Sequence, residues 1–314
     1  MWVKDSMIDV SIVVPAYNEK ESLPELILQI EETMIPLQLK YEVIIVDDGS
    51  NDGTLETLRT LKEQFKPLKA ISFRRNYGKS AALSEGFKIA QGKYVFTMDA
   101  DLQDDPHEIP EMISKLEEGY DLVSGWKKKR YDPITKTIPS KFFNFVTSLM
   151  TGVRLHDFNC GLKAYRQEVV RDLQVYGELH RFLPALAHWN GYRVTEKVVQ
   201  HHPRKFGVTK FGLSRFFNGF FDLMTVIFIT RYKTTPLHIF GMTGLLAFLI
   251  GFGIELYLTI RWFMGEGIRN RPLFFLGILT IIVGVQFIFF GLLGEMLSAH
   301  FSEGVEYIIK EKID

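Results

Sequence analysis

Asp99-Ala100-Asp101 is where residue types and spacing first ask for chemistry in this sequence. The two carboxylates are two positions apart, at the end of the run Tyr94–Met98, so in extended chain they point the same way. With the carbonyl-type side chain of Gln103 close by, they suit a hard divalent cation that keeps open positions for phosphate oxygens. Two more clusters close apolar runs in the same manner. Pro15-Ala16-Tyr17-Asn18-Glu19 follows Val10–Val14, and Asp47-Asp48-Gly49-Ser50 follows Tyr41–Val46. Alone, the second cluster also reads as a turn followed by a helix cap; three acidic ends on one rim favour a site. No G-x-G-x-x-G follows the first run and no Walker lysine motif occurs, which argues against a dinucleotide or P-loop site. The single cysteine, Cys160, excludes a disulfide framework and a Cys-based zinc site, and it reads as a small buried residue rather than a nucleophile. The eight histidines lack metal-ligand spacing.

The elements that must position these residues are legible in residues 9–98. Val10–Val14, Tyr41–Val46, Leu68–Ser72 and Tyr94–Met98 read as strands, and helical patterns lie between them. The first helix begins with Ser22 and Glu25 at capping-box spacing, the second follows Asn51-Asp52-Gly53, and the third runs from Lys79 to Ala90. Strands alternating with helices imply an α/β fold with a doubly wound, mostly parallel sheet, whose ligands sit beyond the carboxyl ends of the strands. The 314 residues carry 37 basic and 37 acidic side chains, and zero net charge excludes a generic basic nucleic-acid binder. An apolar fraction of 46% excludes intrinsic disorder.

The charge is unevenly spread. Thr234 to Ile254 is 21 residues without a formal charge and Pro272 to Gly294 is 23, each enough for the ~20 helical residues that cross a bilayer. Buried helices of a large soluble core are the alternative. Arg204, Lys205, Lys210, Arg215, Arg231 and Lys233 precede the first run and Lys310 and Lys312 follow the second, against Arg261, Arg269 and Arg271 between them. That asymmetry places both ends in the cytoplasm and the loop outside. The start of the chain lacks a basic segment followed by an apolar one, so no signal peptide is expected. Phe216, Phe217, Phe220, Phe221, Met224, Ile227 and Phe228 form an apolar stripe interrupted by Asp222, which reads as an interfacial helix or a core helix. Lys127-Lys128-Lys129-Arg130, followed by Lys136, Ser140, Lys141 and Asn144 and by Phe142, Phe143, Phe145, Val146, Leu149 and Met150, reads as a solvated basic surface or a basic amphipathic helix on a membrane.

Pro15-Ala16-Tyr17-Asn18-Glu19, Val46-Asp47-Asp48-Gly49-Ser50 and Asp99-Ala100-Asp101-Leu102-Gln103-Asp104-Asp105-Pro106 together resemble a family 2 glycosyltransferase with the GT-A fold. More narrowly, from about residue 8 to 300, the chain is similar to polyisoprenyl-phosphate glycosyltransferases, the group of dolichyl-phosphate mannose synthase and bacterial undecaprenyl-phosphate transferases. The resemblance implies that Pro15, Ala16, Tyr17, Glu19 and Asp48 hold the nucleoside. It puts Asp99 near the ribose and diphosphate, and makes Asp101 and Gln103, with Asp99, ligands of Mg²⁺ or Mn²⁺. Arg204 and Lys210 would close over the diphosphate, while Arg130, Lys136 and Ser140 would meet the acceptor phosphate. This chain has Trp126-Lys127 after Gly125 where members carry Arg, which shifts that loop's assignments by a residue or so. Asp157, in Asp157-Phe158-Asn159-Cys160-Gly161-Leu162-Lys163, would face the acceptor and complete a catalytic set with Asp99 and Asp101, orienting the site or accepting a residual proton. His180-Arg181-Phe182-Leu183-Pro184 matches a further motif without implying a role for His180.

The implied activity is inverting, metal-dependent transfer of a sugar, from a UDP-sugar before a GDP-sugar, to a polyisoprenyl (undecaprenyl) phosphate at the cytoplasmic face of the inner membrane. The partners are therefore a nucleotide sugar, a polyisoprenyl-phosphate lipid and the membrane, with a homo-oligomer left open. The expected organisation is a catalytic domain over 1–211, an interfacial helix over 212–233, a two-helix hairpin over 234–298 (spans at about 234–260 and 272–297) and a cytoplasmic tail over 299–314. Three rivals remain. A processive polysaccharide synthase would carry Gln-x-x-Arg-Trp, but the only Arg-Trp here, Arg261-Trp262, has Leu258 where Gln belongs. A diacylglycerol-type lipid glycosyltransferase is the stronger alternative. Intact Asp99, Asp101 and Gln103 argue against an inactive membrane scaffold.

Overall fold

A computed structural model describes residues 8–128, 134–206, 223–225, 228, 235–265, 267 and 272–301, with the side chains of 134–139, 142 and 299–301 excluded. The chain divides into two compact units, Met1–Leu223 and Met224–Asp314.

In the first unit, β1 (Val10–Ala16), β2 (Tyr41–Asp47), β3 (Leu68–Ser72) and β4 (Tyr94–Thr97) alternate with α1 (Leu23–Met34), α2 (Thr54–Gln64) and α3 (Lys79–Ile89). There follow α4 (Ile109–Glu117), β5 (Leu122–Trp126), α5 (Ile134–Thr151), β6 (Lys163–Arg166), α6 (Gln167–Asp172), α7 (Leu183–Trp189) and β7 (Val194–Val198). The sheet order is β3-β2-β1-β4-β6-β5-β7. Only β6 runs against its neighbours; every other pairing is parallel. The mostly parallel α/β sheet expected from the sequence is therefore present, and its last three strands had gone unread.

The strands read as unbroken apolar runs because both sheet faces are covered. Val10, Ile12, Val14, Val43 and Ile45 face a core shared with α1 and α4. Alternate residues Val13, Ile44, Val46 and Val95 face a second core, with Leu83 and Phe87 of α3 and Leu183 of α7. The capping box expected at Ser22 does not form. Ser22 has helical dihedrals and no capping bond, and its hydroxyl donates to Glu19 Oε2 at 2.6 Å, tying the first rim cluster to α1 instead.

The second unit is a helical hairpin of α8 (Pro236–Phe263) and α9 (Pro272–Phe301). Pro236–Phe263 and Pro272–Ser298 are long and apolar enough to cross a membrane, with mean hydropathy 2.0 and 2.6. Each most apolar window is only 11% buried, unlike a soluble core helix. The helices approach through glycine: a Cβ on Gly251 would lie 2.7 Å from the Gly277 carbonyl, and one on Gly244 2.6 Å from that of Gly284. The Leu237 N–H donates to Glu295 Oε2 at 3.2 Å, so a carboxylate from α9 satisfies a donor at the α8 N-terminus. The stripe expected as an interfacial helix over 212–233 lies outside the described residues, apart from 223–225 and 228, which are helical.

Candidate active site

The carboxyl ends of β1, β2 and β4 open on one pocket of about 650 Å³. Pro15, Ala16, Tyr17, Glu19, Asp48, Asp99, Asp101 and Arg204, from four separate parts of the sequence, all line it. Asn76, Gly78, Lys79, Ala100, Glu178, His180 and Arg181 complete the wall.

Each rim cluster is fixed by short-range polar bonds. Asp47 Oδ2 accepts the Ser72 hydroxyl at 2.7 Å and Oδ1 accepts the Ser50 N–H at 3.0 Å. The oxygens of Asp48 accept the backbone N–H groups of Tyr77 and Gly78 at 2.6 and 2.8 Å, so this carboxylate shapes the loop leading to α3. Burial raises the pKa of Glu19 above the usual carboxylate range, against the lowering effect of the Ser22 hydroxyl and Arg204. The turn after β4 places Leu102 at φ 61°, in the left-handed region, with 3% of its surface exposed. Such a conformation in a bulky residue persists only where packing enforces it.

Asp99 and Asp101 sit in different electrostatic environments. Burial alone would raise the Asp99 pKa, but Lys79, Lys127 and Lys163 outweigh it and hold the carboxyl far below its usual range. Lys79 pairs with Asp99 directly. Asp101 is pushed up to about 6, first by burial and then by Asp99, with Arg204 opposing and Asp104 adding to the rise. Arg204 pairs with Asp101 Oδ2, and the Gln103 N–H donates to Asp101 Oδ1 at 3.2 Å. The segment bearing Arg204 is held by the Asp104–His201 bridge and by the His202 N–H, which donates to the Gln103 carbonyl at 3.0 Å.

Asp99 and Asp101 are the pocket-lining carboxylates that could hold a divalent cation. Even with Arg204 beside it, burial, Asp99 and Asp104 disfavour the charged form of Asp101, and a cation there would offset that. Among the described residues no three His, Cys, Asp or Glu side chains converge on one point. A cation held by Asp101 and Asp99 would keep positions for further oxygen ligands and water, as Mg²⁺ or Mn²⁺ does.

A layer of charge beneath the turn was missed in the sequence. Asp104 Oδ2 accepts the Asp99 N–H at 3.1 Å, and Asp104 Oδ1 pairs with Lys127 Nζ at 2.7 Å. The Asp104 side chain is fully buried and that of Lys127 is 13% exposed. Lys127 is thus neither a solvated surface charge nor a residue on the lipid side; it neutralises a buried carboxylate under the Asp99 turn. Lys163, fully enclosed, donates to the Cys160 carbonyl, and burial depresses its pKa. Burial pushes the Cys160 thiol up to about 12, as befits a packing residue. Gly161 leaves the room the carboxylates need: a Cβ there would lie 2.6 Å from both Asp99 Oδ2 and Asp104 Oδ2. Gly161→Ala is therefore expected to cut kcat/KM at least ~100-fold while costing only ~1–3 kcal/mol of stability. Kinetics read beside a thermal melt would check it, a near-wild-type rate being the failing result.

Other anticipated residues lie elsewhere. Gln103 does not line the pocket. Asp157 is 1% exposed and outside the lining, with its Oδ1 accepting the Asn159 N–H at 3.1 Å. Ser140 is half-buried on α5, which also carries Lys136, whose side chain is outside the described set. Arg130 and Lys210 lie outside the described residues. Lys79 did leave a sequence signal: a lysine in the first turn of a helix opposes the helix dipole and calls for a reason to be there.

The family model for glycosyl transferase family 2 matches residues 11–174, the segment that builds most of this pocket. The chain belongs to glycosyl transferase family 2. This glycosyltransferase is 37% identical to a dodecaprenyl-phosphate galacturonate synthase of Rhizobium johnstonii, over 98% of this chain and 94% of that one. It is also 37% identical to an undecaprenyl-phosphate 4-deoxy-4-formamido-L-arabinose transferase of Pseudomonas syringae pv. syringae, over 94% of this chain and 87% of the relative. A mannosyltransferase from Pyrobaculum calidifontis, solved in complex with GDP-Man and Mn²⁺, shares the fold with a TM-score of 0.50. That likeness covers 95% of this chain and 76% of the other at 19% identity. The glycosyltransferase thus has the GT-A architecture expected from its sequence, followed by an apolar hairpin.

Proposed function

We propose that this glycosyltransferase moves a sugar, with inversion, from a nucleotide sugar to a polyisoprenyl phosphate at the cytoplasmic face of the inner membrane. The observation that carries the reading is the 37% identity over 98% of the chain, hairpin included, with a relative named for a dodecaprenyl-phosphate product. A UDP-sugar is the first donor to try. In this proposal residues 1–211 form the catalytic domain, 212–233 an interfacial helix, 234–298 the membrane anchor and 299–314 a cytoplasmic tail.

The nucleoside lies between Pro15-Ala16-Tyr17, Glu19 and Asp48, and the diphosphate lies at Asp99, Asp101 and Arg204, the residues that share the pocket. Lys210 joins Arg204 there. Asp101 and Asp99, with Gln103, would hold a divalent cation, which when bound would stabilise charge on the departing diphosphate. Arg204 adds a guanidinium suited to paired phosphate oxygens. The acceptor needs little activation, because a phosphate monoester with a second pKa near ~6 is largely dianionic at neutral pH. One acceptor oxygen forms the new bond to the anomeric carbon as the bond to the diphosphate breaks, and the leaving nucleotide takes up the electron pair. Arg130, Lys136 and Ser140 hold the acceptor in line, and Asp157 orients that side of the site.

The deciding experiment supplies UDP- and GDP-sugars, including UDP-galacturonate and UDP-4-deoxy-4-formamido-L-arabinose, with undecaprenyl phosphate, undecaprenol or diacylglycerol. Mass spectrometry of the lipid is expected to find a sugar on undecaprenyl phosphate alone. Efficient glycosylation of the free alcohol would reject the phosphate reading, and glycosylation of diacylglycerol would promote that rival.

A further inference from the structure

His180 lines the pocket and takes no part in the chemistry described so far. Its backbone N–H donates to Ser80 Oγ at 3.2 Å, and its ring Nδ1 lies 3.0 Å from the same oxygen. Ser80 is 1% exposed, and its hydroxyl has no other acceptor among the described residues. A buried hydroxyl must place its proton, so Ser80 donates to Nδ1. The ring proton then resides on Nε2, on the opposite edge, and Nε2 has no protein partner among the described residues. The imidazole is neutral: burial, then Lys79, Arg181 and Lys163, push its pKa down to about 2. Ser80 follows Lys79, the partner of Asp99, so His180 stands one residue of α3 away from the catalytic carboxylates.

The surrounding charges indicate what this N–H meets. Lys79 is paired with Asp99, and Arg181 with Glu178 at 2.8 Å, so this part of the wall offers alternating donors and acceptors with little excess charge. A set that both gives and takes hydrogen bonds suits hydroxyl groups.

We propose that His180, fixed by Ser80 with its proton on Nε2, donates to a hydroxyl of the transferred sugar and so helps to select the donor. This deepens the reading of the site as a nucleotide-sugar pocket and rests on it. The ribose offers the same chemistry, and the experiment separates the two.

Binding of UDP and of the nucleotide sugar that the enzyme turns over is measured by calorimetry for wild type, His180→Asn and His180→Gln. An Asn amide reaches the position of Nδ1 and keeps the Ser80 contact but loses the donor into the pocket. A Gln amide reaches the position of Nε2 and keeps that donor. Loss of one neutral hydrogen bond is expected to weaken nucleotide-sugar binding about tenfold in His180→Asn. UDP binding should stay within about twofold, and His180→Gln should recover most of the loss. Equal weakening of UDP and nucleotide sugar would overturn the proposal in favour of a ribose or diphosphate contact. Unchanged binding of both, or failure of His180→Gln to rescue, would also overturn it. A thermal melt of each variant identifies unfolding, and Ser80→Ala, which frees the ring tautomer, should weaken sugar-nucleotide binding in the same sense. If no nucleotide sugar in the panel is turned over, the proposed function itself has failed, a result distinct from any pattern among the variants.

Discussion

Asp101→Asn is expected to lower kcat/KM by ~10³-fold or more, a loss of about 4 kcal/mol of transition-state stabilisation. The substitution keeps the shape of the side chain and removes the charge, so the fold should survive while the grip on a divalent cation fails. Excess EDTA should abolish wild-type turnover, and Mg²⁺ or Mn²⁺ should restore it. The raised pKa of Asp101, about 6, adds a pH signature. Below that value the carboxyl is protonated and protons compete with the cation, so apparent metal affinity should fall as the pH drops through 6. Above it the site is ready for the cation. Full turnover in chelator, or in Asp101→Asn, would remove the metal from the proposal.

The second large effect is on stability. Lys127→Met strands the fully buried Asp104 without its 2.7 Å partner. Burial works against the lysine's charge, but Asp104 first, with Cys160 and Asp99, together outweigh it and hold its pKa above the usual lysine range. Removing one member of such a pair typically costs ~3–5 kcal/mol, because the other charge stays buried. Denaturant melts in detergent should show that loss. The double variant Lys127→Met/Asp104→Leu should recover part of the stability and none of the activity, since Asp104 also accepts the Asp99 N–H. A melt within 1 kcal/mol of wild type for the single variant would mean that the pair is not buried as described.

What could be read in the sequence divides along physical lines. β1 to β4 announce themselves because buried parallel strands are continuous apolar runs closed by polar turns, and Asp99-Ala100-Asp101 follows the last of them. β6 and β7 give no such signal. Lys163-Ala164-Tyr165-Arg166 is four residues long with charged ends, and Val194–Val198 is a half-exposed edge strand of mixed polarity. Lys127 misled because four consecutive basic residues look like a surface, and nothing local reveals a partner 23 positions earlier in the chain. His180 was visible as part of a motif, but its significance depends on Ser80, 100 residues away. Local chemistry was legible; charge pairs closed by tertiary contact were not.

The reversed strand has a consequence for how the protein is made. In the order β4-β6-β5, β5 has no hydrogen-bonding neighbour on the β4 side until β6 has been synthesised and inserted between them. Gly161 and Lys163, which border the carboxylates from that side, arrive with β6. A nascent chain that has emerged only as far as α5 therefore holds a β3-β2-β1-β4 layer whose β4 edge is still unpaired, and a turn after β4 whose buried charges are not yet balanced. Closing that edge is a long-range event, slower than the local pairing before it. On the ribosome, the part of the pocket built by β1 and β2 takes shape first, and the turn of Asp99 and Asp101 is finished only as translation nears the apolar hairpin.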